Sequence, residues 1–100
     1  MSDAPALAII HNEKDHRFEA AVTGGLAHAD YRRRGDVLEM VHTEVPEAAG
    51  GGGIAGKIVK AALDYAAANG LKIEPTCPYV RAYMQRRPET HGLLAPGVTL

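Results

Sequence analysis

The chain has 100 residues, enough for one compact domain and too few for two. Its hydrophobic fraction of 46% and its charged fraction of 23% are ordinary for a soluble globular protein and exclude a disordered chain. A net charge of -1 provides no overall basic field for nucleic acid. The single cysteine, Cys77, excludes an internal disulfide framework and suits a reducing compartment.

Targeting signals are not visible in the sequence. The apolar stretch 4–10 is shorter than a secretory or membrane-spanning segment, lacks a basic start and runs into the polar residues 11–15. We therefore expect a cytoplasmic protein with no membrane partner. The arginine run 32–34 lies between two predicted strands, so we interpret it as a solvated turn and expect no nucleic-acid partner.

The first half of the chain predicts antiparallel strands separated by turns. Hydrophobic residues alternate, so that Phe18, Ala20 and Val22 share one face of a strand. Polar and glycine-containing segments at 12–15, 23–25 and 33–36 have the composition of turns. The predicted strands are 7–11, 17–22, 26–32 and 37–45, and the last is apolar enough to be central in a sheet.

The second half predicts two helices around one more strand. Residues 46–53 contain Pro46 and four consecutive glycines, which exclude regular structure, and a helical period begins at Ile54. Asn69-Gly70 is a helix stop, 71–74 is a short strand, and Pro78 fits the first turn of a second helix. We predict one α+β domain over 1–100, with the order β-β-β-β-α-β-α, a central sheet packed by two helices, a core at about 7–94 and a flexible C-terminal tail.

The glycine run 50–53 lies where a helix begins, which predicts an anion site. Several backbone N–H groups stand there at the positive end of the helix dipole, with no side chain to obstruct a phosphate. The run fits three phosphate motifs and also a plain flexible loop. A Walker A loop is disfavoured, because Ile58 stands where Ser or Thr should hold Mg²⁺ and the chain is too short for the larger parallel sheet.

The other two motifs bind a pyrophosphate. Gly51-x-Gly53-x-x-Gly56 matches the dinucleotide fingerprint, but that motif normally follows the first strand of a mostly parallel sheet, and here four antiparallel strands precede it. A coenzyme A loop needs a long central strand, a turn and a helix, with a free strand edge for the pantetheine amides. Strand 37–45 and the glycine run supply these parts, so we favour coenzyme A.

Four sequence blocks together resemble a known family. His42-Thr43-Glu44-Val45-Pro46, Gly51-x-Gly53-Ile54-Ala55, Pro75-Thr76-Cys77-Pro78-Tyr79-Val80 and Arg87-Pro88-Glu89 look like the small single-domain branch of the GCN5-related N-acetyltransferases (GNAT), and the spacing of all four blocks agrees. This resemblance covers about 18–94. It implies a compact, truncated GNAT-like fold, acetyl-CoA as the donor and an amine acceptor, either a protein lysine or a small molecule.

The same resemblance assigns the cofactor site. It implies that Thr43 and Val45 lie beside the pantetheine arm through their backbone groups, and that the pyrophosphate is surrounded by the turn residues Gly50, Gly51, Gly52, Gly53, Ile54, Ala55 and Gly56. The family's motif begins with Gln or Arg, whereas this chain has Gly50 at that position. One side-chain contact is therefore missing, and binding has to rest on backbone amides.

Cys77 is the candidate catalytic residue. A thiol at a helix N-terminus favours the thiolate, which can accept an acyl group in a two-step mechanism, and the resemblance places this cysteine near the thioester. The alternative is that Cys77 is a small buried hydrophobe. In a direct mechanism the candidate bases are His28, His42 and Glu44, and the candidate acids are Tyr79 and Tyr83. The alternatives are that His42 is a hydrogen-bonded core histidine and that Tyr83 only packs on the inward face of its helix.

Other features leave the choice of function open. Lys57, Lys60, Arg86 and Arg87 are candidates for the nucleotide phosphates, although solvated helix faces also carry such residues. The five histidines lack metal-ligand spacing, so we expect no metal. We predict an acetyl-CoA-dependent N-acetyltransferase, with a non-catalytic acyl-CoA-binding or sensing module as the alternative and a monomer or weak dimer as the assembly.

Overall fold

A computed structural model describes residues 7–50 and 52–100. Within these residues, five strands form one sheet in chain order; the first four are antiparallel neighbours and the fifth runs parallel to the fourth. The predicted α+β order of antiparallel strands followed by helix, strand and helix is confirmed. The elements are β1 (Ile10–Asn12), β2 (Arg17–Val22), β3 (Gly25–Arg34), β4 (Val37–Glu44), α1 (Ile54–Ala68), β5 (Lys72–Pro75) and α2 (Pro78–Gln85).

One face of the sheet is covered and the other is open. Alternation along each strand directs apolar side chains to the covered face, where they form a core with α1 and α2. The opposite face carries polar side chains, and in the described strands β2 to β4 none of these is buried. The buried residues of β2, β3 and β4 are Phe18, Ala20, Ala27, Ala29, Tyr31, Leu38 and Met40.

Helix α1 crosses over the covered face and connects β4 to β5. Its buried positions follow the helical period and are Ile58, Val59, Ala62, Leu63 and Ala66. The helix ends as predicted, because Gly70 takes the left-handed φ of 69° and Leu71 N–H then donates to the Ala66 carbonyl over 2.9 Å. This tight ending places β5 directly beside β4.

Helix α2 also begins where the sequence predicts. Pro78 occupies its first turn, where the missing N–H costs no helical hydrogen bond. Val80, Tyr83 and Met84 are buried, as their spacing indicated. No helix in the described part of the chain combines the length and the apolar character that crossing a membrane requires.

Several element boundaries differ from the predictions. Strand β1 begins at Ile10 rather than residue 7, and β3 continues to Arg34 because its last arginines pair with β4 across the hairpin. Glu47–Ala49 forms one turn of 3₁₀ helix, although we predicted no regular structure there. The turn between β3 and β4 is therefore limited to Gly35 and Asp36 and is shorter than the predicted turn 33–36.

The C-terminal tail makes contacts that the sequence did not indicate. Pro88–Leu93 is a 3₁₀ helix, Leu94 forms an isolated parallel bridge with Ile73, and Ala95 N–H donates to the Ile73 carbonyl over 2.9 Å. Farther along, the Arg81 guanidinium donates to the Thr99 carbonyl over 2.8 Å. We expected this tail to be flexible, whereas in the structure it packs along β5.

Candidate functional site

The free edge of β4 is the first component of the site. Strand β5 pairs with β4 only over Val37–Met40, and the last link is a 2.8 Å hydrogen bond from Cys77 N–H to the Met40 carbonyl. After Pro75, the β5 partner of Met40, the chain leaves the sheet and enters α2, so within the described residues 41–44 have no strand partner on the side opposite β3. An extended ligand that carries amides can pair with such an edge.

A β-bulge decides which side chains of β4 face the core. Asp30 pairs with His42 and the next residue, Tyr31, pairs with Met40, which leaves Val41 as an extra residue in β4. Because of this extra residue, Met40 and Thr43 share the covered face, although they are three positions apart and simple alternation would put them on opposite faces. His42 and Glu44 consequently project from the open face.

Cys77 lies at the N-terminus of α2, as predicted, and faces Thr43. It is the N-cap residue and only 4% exposed. Its Sγ lies 3.5 Å from Thr43 Oγ1, within hydrogen-bonding distance for sulfur, and either group can donate. The thiol therefore lies at the point where the pairing of β4 with β5 ends and α2 begins. This placement is compatible with both an acyl acceptor and a small buried hydrophobe.

The N-terminus of α1 supplies unpaired backbone donors. Gly53 caps the helix with a left-handed φ of 71° and no side-chain cap, and the first intrahelical bond runs from Lys57 N–H to the Gly53 carbonyl. The N–H groups of Ile54, Ala55 and Gly56 precede that bond and have no helical partner. No acidic residue lies in this turn, so its electrostatic field favours an anion.

The amide of Gly50, one of the predicted pyrophosphate residues, already has a partner within the chain. Gly50 donates its N–H to the Glu47 carbonyl over 3.1 Å, so its amide is already engaged in the 3₁₀ turn. Gly51 lies outside the described residues. The donors that the described chain presents at this end of α1 are therefore those of the first helical turn.

A groove of about 800 Å³ extends from the N-terminus of α1 along α2. Gly56 faces α2 across this groove, and a Cβ added there would make ordinary contacts, 3.5 Å from Tyr79 Oη and 3.7 Å from a Tyr83 ring carbon. The Arg87 guanidinium lies 3.7 Å from the centroid of the Tyr83 ring and donates to the Tyr83 carbonyl. The candidate acids Tyr79 and Tyr83 are therefore groove residues, and Lys57 adds a cation to the same wall.

Of the other predicted cations, Lys60 lies in the groove and Arg86 is exposed outside it. Lys60 lines the groove but binds Asp64 over 2.7 Å, and this hydrogen bond raises its pKa. Arg86 is not among the groove residues and instead ends α2 through its backbone N–H. The described residues contain no group of three or more His, Cys, Asp or Glu side chains arranged to hold a metal ion.

The three candidate bases gather on the open face of the sheet together with Asp30. His28 Nδ1 lies 2.7 Å from Asp30 Oδ1, and His42 Nε2 lies 3.1 Å from Glu44 Oε1. The rings of His28 and His42 are 6.1 Å apart. The hydrogen bond from His42 and, secondarily, the charge of His28 lower the pKa of Glu44. Sequence reasoning overlooked Asp30, although its spacing of two residues from His28 on a strand was a usable signal.

Comparison with known proteins identifies relatives of this architecture. The family model described as GCN5-related N-acetyl-transferase matches residues 17–93. Protein NATD1 of Xenopus tropicalis is 32% identical over 91 residues, covering 88% of this chain and 84% of that protein. Human NATD1 is 42% identical over 52 residues, which are 52% of this chain and 46% of that protein, so the matched stretch spans about half of the human and related sequences.

A solved structure has the same fold. The solution NMR structure of a GCN5-like protein from Staphylococcus aureus superimposes with a TM-score of 0.73, covering 99% of this chain and 94% of that one at 24% identity. At that identity the similarity establishes the fold alone.

Proposed function

Because the chain belongs to the GCN5-related N-acetyltransferase family, we propose that it binds acetyl-CoA and transfers the acetyl group to an amine. The observation that carries the proposal is the separation of β4 from β5 after Met40, which leaves a free strand edge between the Cys77 thiol and the N-terminus of α1. These three features occur in the order in which coenzyme A carries a thioester, amides and phosphates.

The described residues fit such a cofactor. The first-turn amides of α1 and the absence of an acid there suit a pyrophosphate. We expect backbone groups at Thr43 and Val45 to meet the pantetheine amides, and the support for this is that both residues follow the point where β4 loses its partner. Lys57 and Arg87 line the groove that continues from the helix N-terminus, where a nucleotide phosphate would find cations.

In the two-step form of the reaction, the sulfur of Cys77 attacks the acetyl carbonyl carbon. A new C–S bond forms, the thioester C–S bond breaks, and the cofactor leaves as a thiolate that takes up a proton. An uncharged acceptor amine then attacks acetyl-Cys77, its nitrogen loses a proton, and the cysteine thiol is regenerated. Thr43 Oγ1, at 3.5 Å from Sγ, would orient the thiol by donating to the thiolate.

In the direct form, the amine attacks the thioester itself and Cys77 only lines the site. A non-catalytic acyl-CoA-binding module is the second candidate function. It is favoured by one observation, the 4% exposure of Cys77, because a nucleophile has to be reached by its substrate.

Acetyl-CoA titration followed by NMR tests the proposal. We expect amide shifts at Gly52–Gly56 and along 42–45, with little change at Gly70, at the opposite end of α1. The absence of any shift at millimolar cofactor would refute both the enzyme and the binding module.

Activity measurements then separate the candidates. Release of free coenzyme A in the presence of amines identifies the enzyme, and mass spectrometry of acetylated Cys77 identifies the two-step route. Cys77→Ala should retain binding in either case. If it also retains full amine-dependent turnover, the direct route is correct. Binding with no turnover on any amine would establish the non-catalytic module.

A further inference from the structure

A second free strand edge, on β2, borders a groove of its own. Strand β1 pairs with β2 only as far as Ile10, which lies opposite Glu19, whereas β2 continues to Val22. Within the described residues, 20–22 therefore have no strand partner on the side opposite β3. The space beside this edge, the β2-edge groove, has a volume of about 700 Å³. Its walls come from the segment before β1, the end of β2, the 3₁₀ turn and the start of α1.

The backbone groups of Ala21 point into the β2-edge groove. Just before β2 begins, Tyr31 N–H on β3 donates to the His16 carbonyl over 3.0 Å. Residues that bond to a given neighbour alternate along an antiparallel strand, so Ala20 and Val22 also bond to β3. The N–H and C=O of Ala21 consequently point to the opposite side, where β1 no longer runs. An extended peptide can complete this edge by adding a strand.

The groove is held open by a close contact at its floor. Gly24, in the turn after β2, has a φ of 92°, and a Cβ built there would lie 3.1 Å from Ala48 Cβ and 3.3 Å from Pro46 Cβ. The turn therefore packs directly against the 3₁₀ turn, which contributes Ala49 to the groove. A partner meets an edge that is already in position and pays little to order it.

The lining of the groove is mostly apolar, and one side chain at its rim is conspicuously exposed. Ile10 is 59% exposed, the largest fraction among the exposed large hydrophobic residues of the described chain. Ala21 and Ile54 also line the groove. An apolar side chain of a partner would cover these residues and remove them from water.

The charge of the groove favours an acidic partner. Lys57 is the one charged residue among the described lining residues, and it has no partner among the described ion pairs. The positive end of α1 adds to its field. Glu19, on the same strand, already accepts hydrogen bonds from Arg17 and Asn12. A symmetric contact between two copies of the chain would bring this positive surface against itself, so the charge favours a different protein.

We propose that the β2-edge groove binds an extended, acidic segment of a partner protein. The segment adds a strand to β2 at Ala21, places an apolar side chain against Ile10 and Ile54, and directs a carboxylate to Lys57. Because one residue offers the unpaired backbone groups, the interaction is weak and is measured at millimolar peptide. The inference does not depend on acetyl-CoA binding.

The probe is a capped pentapeptide of threonine, isoleucine, valine, glutamate and threonine, and its matched control has lysine in place of glutamate. NMR titrations use the whole chain without cofactor, since Lys57 also lines the groove along α2. We expect shifts at 20–23, Ile10 and Lys57 and little change at Gly70, at the far end of α1. The acidic peptide should bind roughly two- to tenfold more tightly than the lysine peptide, and this preference should shrink in about 0.5 M salt.

N-methylation of the peptide tests strand addition without changing the protein. An added strand directs every second N–H toward β2, so single N-methyl groups placed along the acidic peptide should weaken binding at alternate positions. Equal effects at successive positions would exclude a strand.

Two variants with the same chemical change test the location. Ile10→Glu places a carboxylate in the groove and should weaken binding of the acidic peptide roughly tenfold. Leu26→Glu is the control, because Leu26 is also an exposed hydrophobic residue, at 41%, but does not line the groove, so binding should be unchanged. Lys57→Gln should remove the preference for glutamate over lysine.

Four results would overturn the proposal. They are the absence of a saturable shift at millimolar acidic peptide, equal affinity for the two peptides, equal losses in Ile10→Glu and Leu26→Glu, and N-methyl effects without alternation. Sedimentation at the titration concentrations checks the other occupants. Self-association that Ile10→Glu abolishes would assign the groove to a second copy of the chain, and tighter binding of decanoate than of the peptide would assign it to a small carboxylate, so either result also refutes the proposal.

Discussion

Two glycines at opposite ends of α1 provide a matched test of the cofactor site. Gly53 and Gly70 have nearly the same left-handed φ, 71° and 69°, and a Cβ built at either residue meets no atom within 4 Å. Alanine at either position should therefore carry the same backbone strain, about 1–2 kcal/mol. For a domain of this size each kcal/mol lowers Tm by roughly 4–8 °C, so both variants should lose similar thermal stability.

Cofactor affinity should separate the two variants. In Gly53→Ala, the backbone would relieve the strain by rotating the peptide groups that present the Ile54 and Ala55 amides to a phosphate. A hydrogen bond to a charged group contributes about 1.5–3 kcal/mol, so the loss of one such bond weakens binding roughly ten- to a hundredfold. Gly70 lies at the other end of a 15-residue helix, and its replacement should leave affinity nearly unchanged.

The assay combines circular dichroism melting with calorimetric titration of acetyl-CoA on the wild type, Gly53→Ala and Gly70→Ala. Titrations are made well below the lower of the two melting transitions, so that both variants are folded. Equal affinity losses would indicate that stability controls binding. Unchanged affinity in Gly53→Ala, with its stability lowered, would refute the assignment of the phosphates to the N-terminus of α1.

Three further predictions follow from the site and its surroundings. Gly56→Leu should weaken acetyl-CoA binding more than Gly56→Ala does, because a Cβ already contacts Tyr79 and a longer side chain fills the groove; calorimetry on both variants measures this. Thr43→Val should slow acetylation of Cys77 while Thr43→Ser preserves it, because only serine retains the hydroxyl beside Sγ; mass spectrometry follows the acetylated species, and equal rates would contradict the contact. Burial lowers the pKa of His11 below its ordinary value of 6.5, despite the opposing charge of Glu13. The folded state therefore favours the neutral imidazole, and the contribution of His11 to the free energy of unfolding is lost as the pH falls from 6.5 toward the lower pKa of the folded state. His11→Phe should flatten that dependence in melting curves at pH 5 and 7.5, and an unchanged slope would show that other groups cause it.

Local periodicity was sufficient to predict most of the fold. The alternation of Phe18 and Ala20 and the helical spacing of Ile58 and Ala62 reflect burial within one element, which the sequence displays directly. Gly70 and Pro78 marked a helix end and a helix start because each residue restricts the backbone by itself.

Features that depend on pairing between distant segments were not predictable in this way. The bulge at Val41 exists only relative to β3, and the contacts of the tail with Ile73 require β5 to be in place. Candidate site residues were found one at a time, but the sequence did not reveal that His28 and His42 would meet across strands or that Thr43 would turn toward Cys77. The roles of Cys77 and of the turn residues 50–56 stay predictions.

The extra residue at Val41 also limits how β4 can change its length. In a strand, deletion of one residue moves every later side chain to the other face. Val41, however, is the one residue that β4 has in excess of β3, so its removal would restore simple alternation and keep Thr43 on the covered face and Glu44 on the open face. A deletion can therefore be absorbed at the bulge, whereas a change of length in the regularly paired part of β4 would move the later side chains to the other face, so sequence drift there should be confined to replacements.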